Sequence, residues 1–284
     1  MSEKPPSDVP LPYADRPVAT APGHWVLARA GKRVLRPGGA ALTAAMLDHA
    51  RLPGADVVEL APGLGRTAAE IVAARPASYT AIDRDPQAAA RVAAVVGDRG
   101  VVRQGEAADT GLDDACADVV VGEAMLTMQG DKSKAAIVAE AARVLRPGGR
   151  YAIHELGVAP DDIDEEYYTQ LRRDLARAIH VNARPMTAAA WRGLLEDAGL
   201  VVDWVDTAPM ALLKMSRNLR DEGPGGAARI MWNVMRDKAL RARVMEMRRT
   251  FTRYEKDMVG IALVAHKPEA APEEAAPEEA APGA

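Results

Sequence analysis

Cysteine is nearly absent. Cys116 is the only one in 284 residues, so the chain can close no internal disulfide and build no thiolate metal cluster, and a reducing, cytoplasmic setting fits best. An excess of one charge is also missing. Thirty-six basic and forty acidic residues leave a net charge of -4, which argues against a polyanion-binding protein, so no nucleic-acid partner is expected. Long apolar runs are lacking too: no stretch approaches the roughly 18 uninterrupted apolar residues of a membrane span, and the first twenty residues carry five prolines and no signal-like run.

What is present suits a folded domain. An apolar content of 48% over this length supports one large α/β domain with insertions. Residues 1–22 are expected to be disordered, residues 23–267 to form the domain, and residues 268–284, which repeat an A-P-E-E-A unit, to form a disordered acidic tail.

Short apolar runs alternate with helical patterns, the signature of a parallel sheet covered on both faces. Strands are expected at Asp56–Leu60, Ser78–Asp83, Gly100–Gln104, Asp118–Gly122, Arg150–Leu156, Val201–Asp206 and Met258–Ala265. Helices are expected at Leu42–Arg51, Arg66–Ala74, Pro86–Val96, Lys132–Leu145 and Ala188–Ala198. The segment R-V-L-R-P-G-G occurs twice, at Arg33–Gly39 and Arg143–Gly149. The flanking sequences do not align, so both copies read as helix ends, with basic residues at the negative terminus and Pro and Gly as stops.

Two insertions interrupt the alternation, at about 157–187 and 209–257. The second holds two helical patterns, a Gly-Pro-Gly-Gly break at Gly223–Gly226, six of the twelve methionines and about twice as many basic as acidic residues. It reads as an adaptable, basic, Met-rich flap.

The chemistry concentrates in V-V-E-L-A-P-G-L-G-R-T, an apolar strand that runs into a turn holding Gly63 and Gly65 and then into a helix. Glycine there permits the close backbone approach that a nucleotide ligand needs. Twenty residues past Gly63, Asp83 ends the next apolar run, where a carboxylate is placed to accept hydrogen bonds from ribose hydroxyls. Gly63, Gly65 and Ala68 also satisfy the G-x-G-x-x-A form of the dinucleotide fingerprint. A nicotinamide-dependent oxidoreductase and a non-catalytic binding protein of the same fold therefore stand beside any other reading of this pair.

The succession of motifs resembles the class I S-adenosylmethionine-dependent methyltransferases, and most of all their type 11 group. Glu59, Ala61, Gly63 and Gly65 fall on the places of that family's strand-one motif, with Ala61 departing from the usual first glycine. Asp83 matches the ribose-binding acid, and Gly105, Glu106 and Ala107 match the step that holds the adenine. The fourth strand, ending at Glu123, and the later L-R-P-G-G are similar to the family's pattern.

The resemblance implies a Rossmann-like, seven-stranded, mostly parallel sheet whose last strand is antiparallel, with helices on both faces and a helical flap inserted between the last two strands. It implies S-adenosylmethionine as cofactor, no metal, and Glu59, Ala61, Gly63, Gly65, Asp83, Glu106, Ala107 and Glu123 around it. No N-P-P-Y or D-P-P-Y motif of nucleic-acid methyltransferases follows the fourth strand, which favours a small or lipid-like acceptor.

A base is needed only where the acceptor must lose a proton. Glu123, His154, Glu155 and His180 are the candidates, with Asn182 beside His180 as a further lining residue. His154 and Glu155 are adjacent on one strand and point to opposite faces, so one of them at most can address the pocket. The basic flap suits a peripheral membrane contact, and equally a homodimer interface.

Overall fold

The computed structural model describes residues 11–12, 15–210, 212–213 and 215–269. The expected acidic tail lies outside these residues, apart from its first two positions, as does most of the expected N-terminal disordered segment.

Seven strands form one sheet in the order β3-β2-β1-β4-β5-β7-β6. They are β1 (Asp56–Leu60), β2 (Ser78–Asp83), β3 (Val101–Gln104), β4 (Ala117–Glu123), β5 (Leu145–Val158), β6 (Val201–Pro209) and β7 (Met258–His266). The first five pair in parallel, and β7 slots antiparallel between β5 and β6. This is the expected Rossmann-like sheet. The order reverses beside β1, so the carboxyl ends of β1 and β4 flank the crevice where such sheets bind ligands.

The central strands are apolar at nearly every position because helices cover both faces. On one face Val57, Val119 and Val121 pack beneath α2 (Ala40–Ala50), α3 (Arg66–Ala73) and α4 (Pro86–Val96). On the other, Val58, Val120 and Ile153 pack against α5 (Asp131–Val144) and α7 (Ala188–Glu196). Each such valine or isoleucine contributes roughly 1.5–3 kcal/mol by leaving water, and the strict alternation of faces fixes the register.

A helical cap sits on the sheet, built from α1 (Gly23–Arg29), α6 (Glu165–Ile179), α8 (Met215–Arg236) and α9 (Lys238–Arg253). Its core joins Ala21, Val26, Leu27, Ala178, Leu240 and Met247. The expected break in the flap is real: Gly223, at φ 72°, and Pro224 divide α8 into two arms. The helix α1 has too few residues to show a helical period in the sequence, and it owes its stability to this packing.

The repeated heptapeptide requires a correction. Arg143–Gly149 does follow a helix end, since α5 stops at Val144. Arg33–Gly39 does not: α1 ends at Arg29 and the segment runs as an extended strap toward α2. Its amides are claimed by tertiary partners instead. Glu222 of α8 accepts from the backbone of Arg33 at 2.7 Å and Val34 at 2.8 Å, Lys32 donates to Asn218 at 2.8 Å, and Arg217 donates to the Gly38 carbonyl at 2.7 Å. The strap passes so close to β7 that a Cβ on Gly260 would overlap Gly38.

Candidate active site

At the end of β1 the chain turns through three residues of positive φ: Ala61 at 52°, Gly63 at 58° and Gly65 at 72°. A Cβ on Gly65 would stand 3.2 Å from Val95, so this glycine answers both the backbone twist and the close approach of α4. Ala61 holds the same left-handed region with a side chain, a strain of roughly 1–2 kcal/mol, and its amide is fixed by the Ile82 carbonyl at 2.8 Å.

Asp83 faces this turn from β2. One carboxylate oxygen accepts from the Gly63 amide at 3.3 Å and the other from the Asp85 amide at 2.9 Å. Burial pushes its carboxyl up, against the pull of these two amides. A carboxylate has about four acceptor positions, so two remain for hydroxyl donors. Asp85 caps α4 through the Gln87 and Ala88 amides. The Gly105 amide donates to the Asp83 carbonyl at 3.1 Å, which brings Gly105, exposed Glu106 and Ala107 to the same end of the sheet.

Glu59 turns inward from this end. It is 1% exposed and accepts from the Tyr79 hydroxyl at 2.5 Å. Burial raises its carboxyl to about 8, in spite of that hydrogen bond.

Glu123, at the end of β4, is the hub of a buried polar cluster. Thr43 of α2 and Thr67 of α3 both donate to its carboxylate, Arg36 of the strap lies at 3.0 Å, and His154 Nδ1 at 2.9 Å. Arg36 also reaches Thr67 at 2.8 Å and Glu70 at 3.0 Å. Burial alone would push the Glu123 carboxyl up, but Arg36, His154 and Thr43 outweigh it and bring it down to about 2.

His154 and Glu155 do point to opposite faces. His154 Nε2 accepts from the Gly38 amide at 3.0 Å. A backbone N–H can only donate, so the proton of the neutral ring resides on Nδ1, toward Glu123 and Thr43. Glu155 accepts the amides of Met125, Leu126 and Thr127 and the Thr127 hydroxyl, at 2.7–3.0 Å. It thereby anchors the loop after β4.

That loop forms one wall of a cavity of about 110 Å³ under the cap. Ala124, Met128 and Glu155 contribute from the sheet side, His24 and Phe251 from the cap, and Met210 from the segment that follows β6. His180 and Asn182 are exposed and do not line it, whereas their neighbours Ile179 and Ala183 do. Sequence reasoning missed His24, Arg36, Thr43 and Thr67. A lone histidine or threonine at a helix start carries no pattern of its own, and these become neighbours of the site only through tertiary contacts.

Comparisons with known proteins agree with this geometry. Residues 58–153 match the family model described as a methyltransferase domain. An uncharacterized protein of Haemophilus influenzae is 29% identical over 251 residues, covering 86% of this chain and 98% of the relative. Among solved structures, phosphoethanolamine N-methyltransferase 2 of Haemonchus contortus, in complex with S-adenosyl-L-methionine, superposes with a TM-score of 0.67 at 14% identity. The match covers 91% of this chain and 60% of that one. The cyclase SpnF superposes at 0.59 with 18% identity, covering 81% and 82%. At these identities the solved structures speak for the fold alone, and the family model speaks for a methyltransferase domain over residues 58–153.

Proposed function

We propose that this protein methylates a small, largely apolar acceptor held in the cavity under the cap, with the nucleoside of S-adenosylmethionine seated between the Gly63–Gly65 turn and Asp83. The observation that carries this reading is the placement of Asp83. It is a buried carboxylate already oriented by the Gly63 and Asp85 amides, with acceptor capacity to spare, one strand away from the switch point.

The residues fit the cofactor. Asp83 would take the ribose hydroxyls, Gly63 and Gly65 would let the backbone approach, and Glu106 with Ala107 would border the adenine. Ala61 completes the turn with one methyl group more than glycine. The cofactor's sulfonium supplies an already activated methyl group, so the protein's task is alignment and exclusion of water.

The cap and the Glu155-anchored loop serve that task by enclosing the acceptor. Glu59 and Glu123 support the site from behind: one fixes Tyr79, the other ties α2, α3, β5 and the strap together. His154 belongs to that support, since its Nε2 is engaged by Gly38 and its Nδ1 proton by Glu123.

The acceptor is reached, on this reading, from a membrane surface. The outer face of the second arm of α8 leaves Met231, Trp232 and Met235 44%, 60% and 63% exposed, and the Arg236 guanidinium lies 5.3 Å from the Trp232 ring centre. Apolar side chains rimmed by cations suit the interface of an anionic bilayer. No helix among the described residues is long and apolar enough to cross a membrane, so such a contact would be peripheral.

Calorimetric titration with S-adenosylhomocysteine and with reduced nicotinamide dinucleotide tests the cofactor. We expect binding of the first and none of the second; binding of the dinucleotide alone would overturn the proposal in favour of an oxidoreductase.

A further inference from the structure

The cavity under the cap has an uneven distribution of polar capacity. Glu155 lines it, yet both its oxygens are spent on three backbone amides and the Thr127 hydroxyl. Thr127 lines it as well, and its hydroxyl donates to Glu155 while accepting from the Leu156 amide at 3.2 Å. Among the described residues, the remaining side chains of the wall are aliphatic, thioether or aromatic, with one exception.

That exception is His24, on the first turn of α1. It packs against Trp25, ring centres 4.8 Å apart, and its ring makes no hydrogen bond to any described residue. Burial pulls its imidazole down to about 4, so near neutral pH it presents one N–H donor and one bare nitrogen acceptor. Among the described residues, no arginine or lysine lines the cavity. An anionic ligand would therefore lose its hydration there without gaining a counter-charge.

Size narrows the ligand further. Apolar cavities of ~150 Å³ take up benzene, and this one, at about 110 Å³, has the scale of one ring. Its position is also held: a Cβ on Gly23, beside His24, would stand 3.0 Å from both Ile179 and the Met247 sulfur, so α1 cannot settle differently against α6 and α9.

We infer that this cavity is the acceptor subsite for an uncharged single-ring phenol, with the ring among the apolar side chains and the hydroxyl hydrogen-bonded to His24. The assignment rests on the methyltransferase reading for the word acceptor, though not for the binding itself.

The full-length protein should be titrated calorimetrically with 4-methylphenol, toluene and benzoate, and separately with S-adenosylhomocysteine. We expect 4-methylphenol to bind more tightly than toluene, and benzoate to bind worst. His24→Phe should weaken 4-methylphenol five- to tenfold, the loss of one hydrogen bond, and leave toluene unchanged. His24→Gln, which keeps a donor and an acceptor, should restore most of the loss, and it carries the test if the Phe variant fails to fold.

Absence of 4-methylphenol binding, equal affinity for benzoate, or indifference to both His24 variants would overturn the inference. Binding of 4-methylphenol by a protein that ignores S-adenosylhomocysteine would sink the methyltransferase reading and leave the phenol site standing. The reverse pattern would sink the phenol site alone.

Discussion

His154 and Glu123 stand 2.9 Å apart across neighbouring parallel strands, with the histidine proton directed at the carboxylate because Gly38 occupies the other ring nitrogen. The pair binds the strap to the sheet, and the strap in turn is gripped by α8 through Glu222 and Arg217. A contact that looks like a catalytic dyad in isolation is therefore the joint between the sheet and its cap.

Glu123→Ala should accordingly cost stability. It removes the partner of Arg36, which is 4% exposed, and leaves the Thr43 and Thr67 hydroxyls without their carboxylate acceptor. Removing one side of a buried ion pair costs about 3–5 kcal/mol, and Glu70 retains part of the Arg36 interaction, so a loss of about 3 kcal/mol is expected. Urea denaturation measures it, and a loss below about 1 kcal/mol would deny Glu123 its role as hub.

The pH dependence should carry the opposite mark of Glu59. Its folded carboxyl sits at about 8 against an ordinary 4.5. Between these values the unfolded chain has released the proton that the folded chain still holds. The contribution is thus fully present below about 4.5, declines as pH rises toward about 8, and is constant above. Glu123, depressed to about 2, acts in the other window and loses its contribution as pH falls below 4.5. Glu59→Gln isolates the first effect. The difference in unfolding free energy between wild type and variant should fall steadily from pH 5 to pH 8, and a flat difference would mean that Glu59 is ionised in the folded protein.

Asp83 separates charge from architecture. Asp83→Ala should weaken S-adenosylhomocysteine by about 1–3 kcal/mol, the cost of leaving buried hydroxyls unpaired. Because the carboxylate also holds the Gly63 and Asp85 amides, part of that loss would come from the loop. Asp83→Asn keeps one acceptor oxygen for this purpose and should lose less. Unchanged affinity in both variants, read by calorimetry, would remove Asp83 from the site.

The parts of this molecule legible in its sequence are those decided locally. The strand β1, its glycine turn and β2 lie within 28 consecutive positions, 56–83, and their apolar runs, positive-φ residues and strand-end acid act over a few residues each. The bounds of β1, β2 and α4 coincide with expectation for that reason. The Glu123 cluster is of another kind. Its partners Arg36, Thr43, Thr67 and His154 lie 87, 80, 56 and 31 residues away, and nothing in a stretch such as R-V-L-R-P-G-G distinguishes a strap from a helix end. The two copies of that heptapeptide make the point directly, since one sequence adopts two roles according to what packs on it. His24 was invisible for the same reason, because its cavity is walled by residues from α1, α6 and α9, from β5, and from the strap and the loops between them.

The exposed face of α8 yields the last prediction. Ala228, Met231, Trp232 and Met235 follow one another at helical spacing on the solvent side, while Arg229 and Arg236 flank them. Such a stripe gains little by facing water, and a bilayer interface would shelter Trp232 while leaving the guanidinium groups among lipid headgroups. Sedimentation with vesicles containing phosphatidylserine should show binding that weakens as salt rises, since each interfacial cation contributes about 1 kcal/mol through the surface potential. Trp232→Ser should reduce that binding about tenfold without lowering thermal stability, because the ring is already 60% exposed. Binding that survives both the substitution and high salt would point away from this face. A concentration-dependent dimer with no affinity for vesicles, abolished by the same substitution, would assign the stripe to a second copy of the chain.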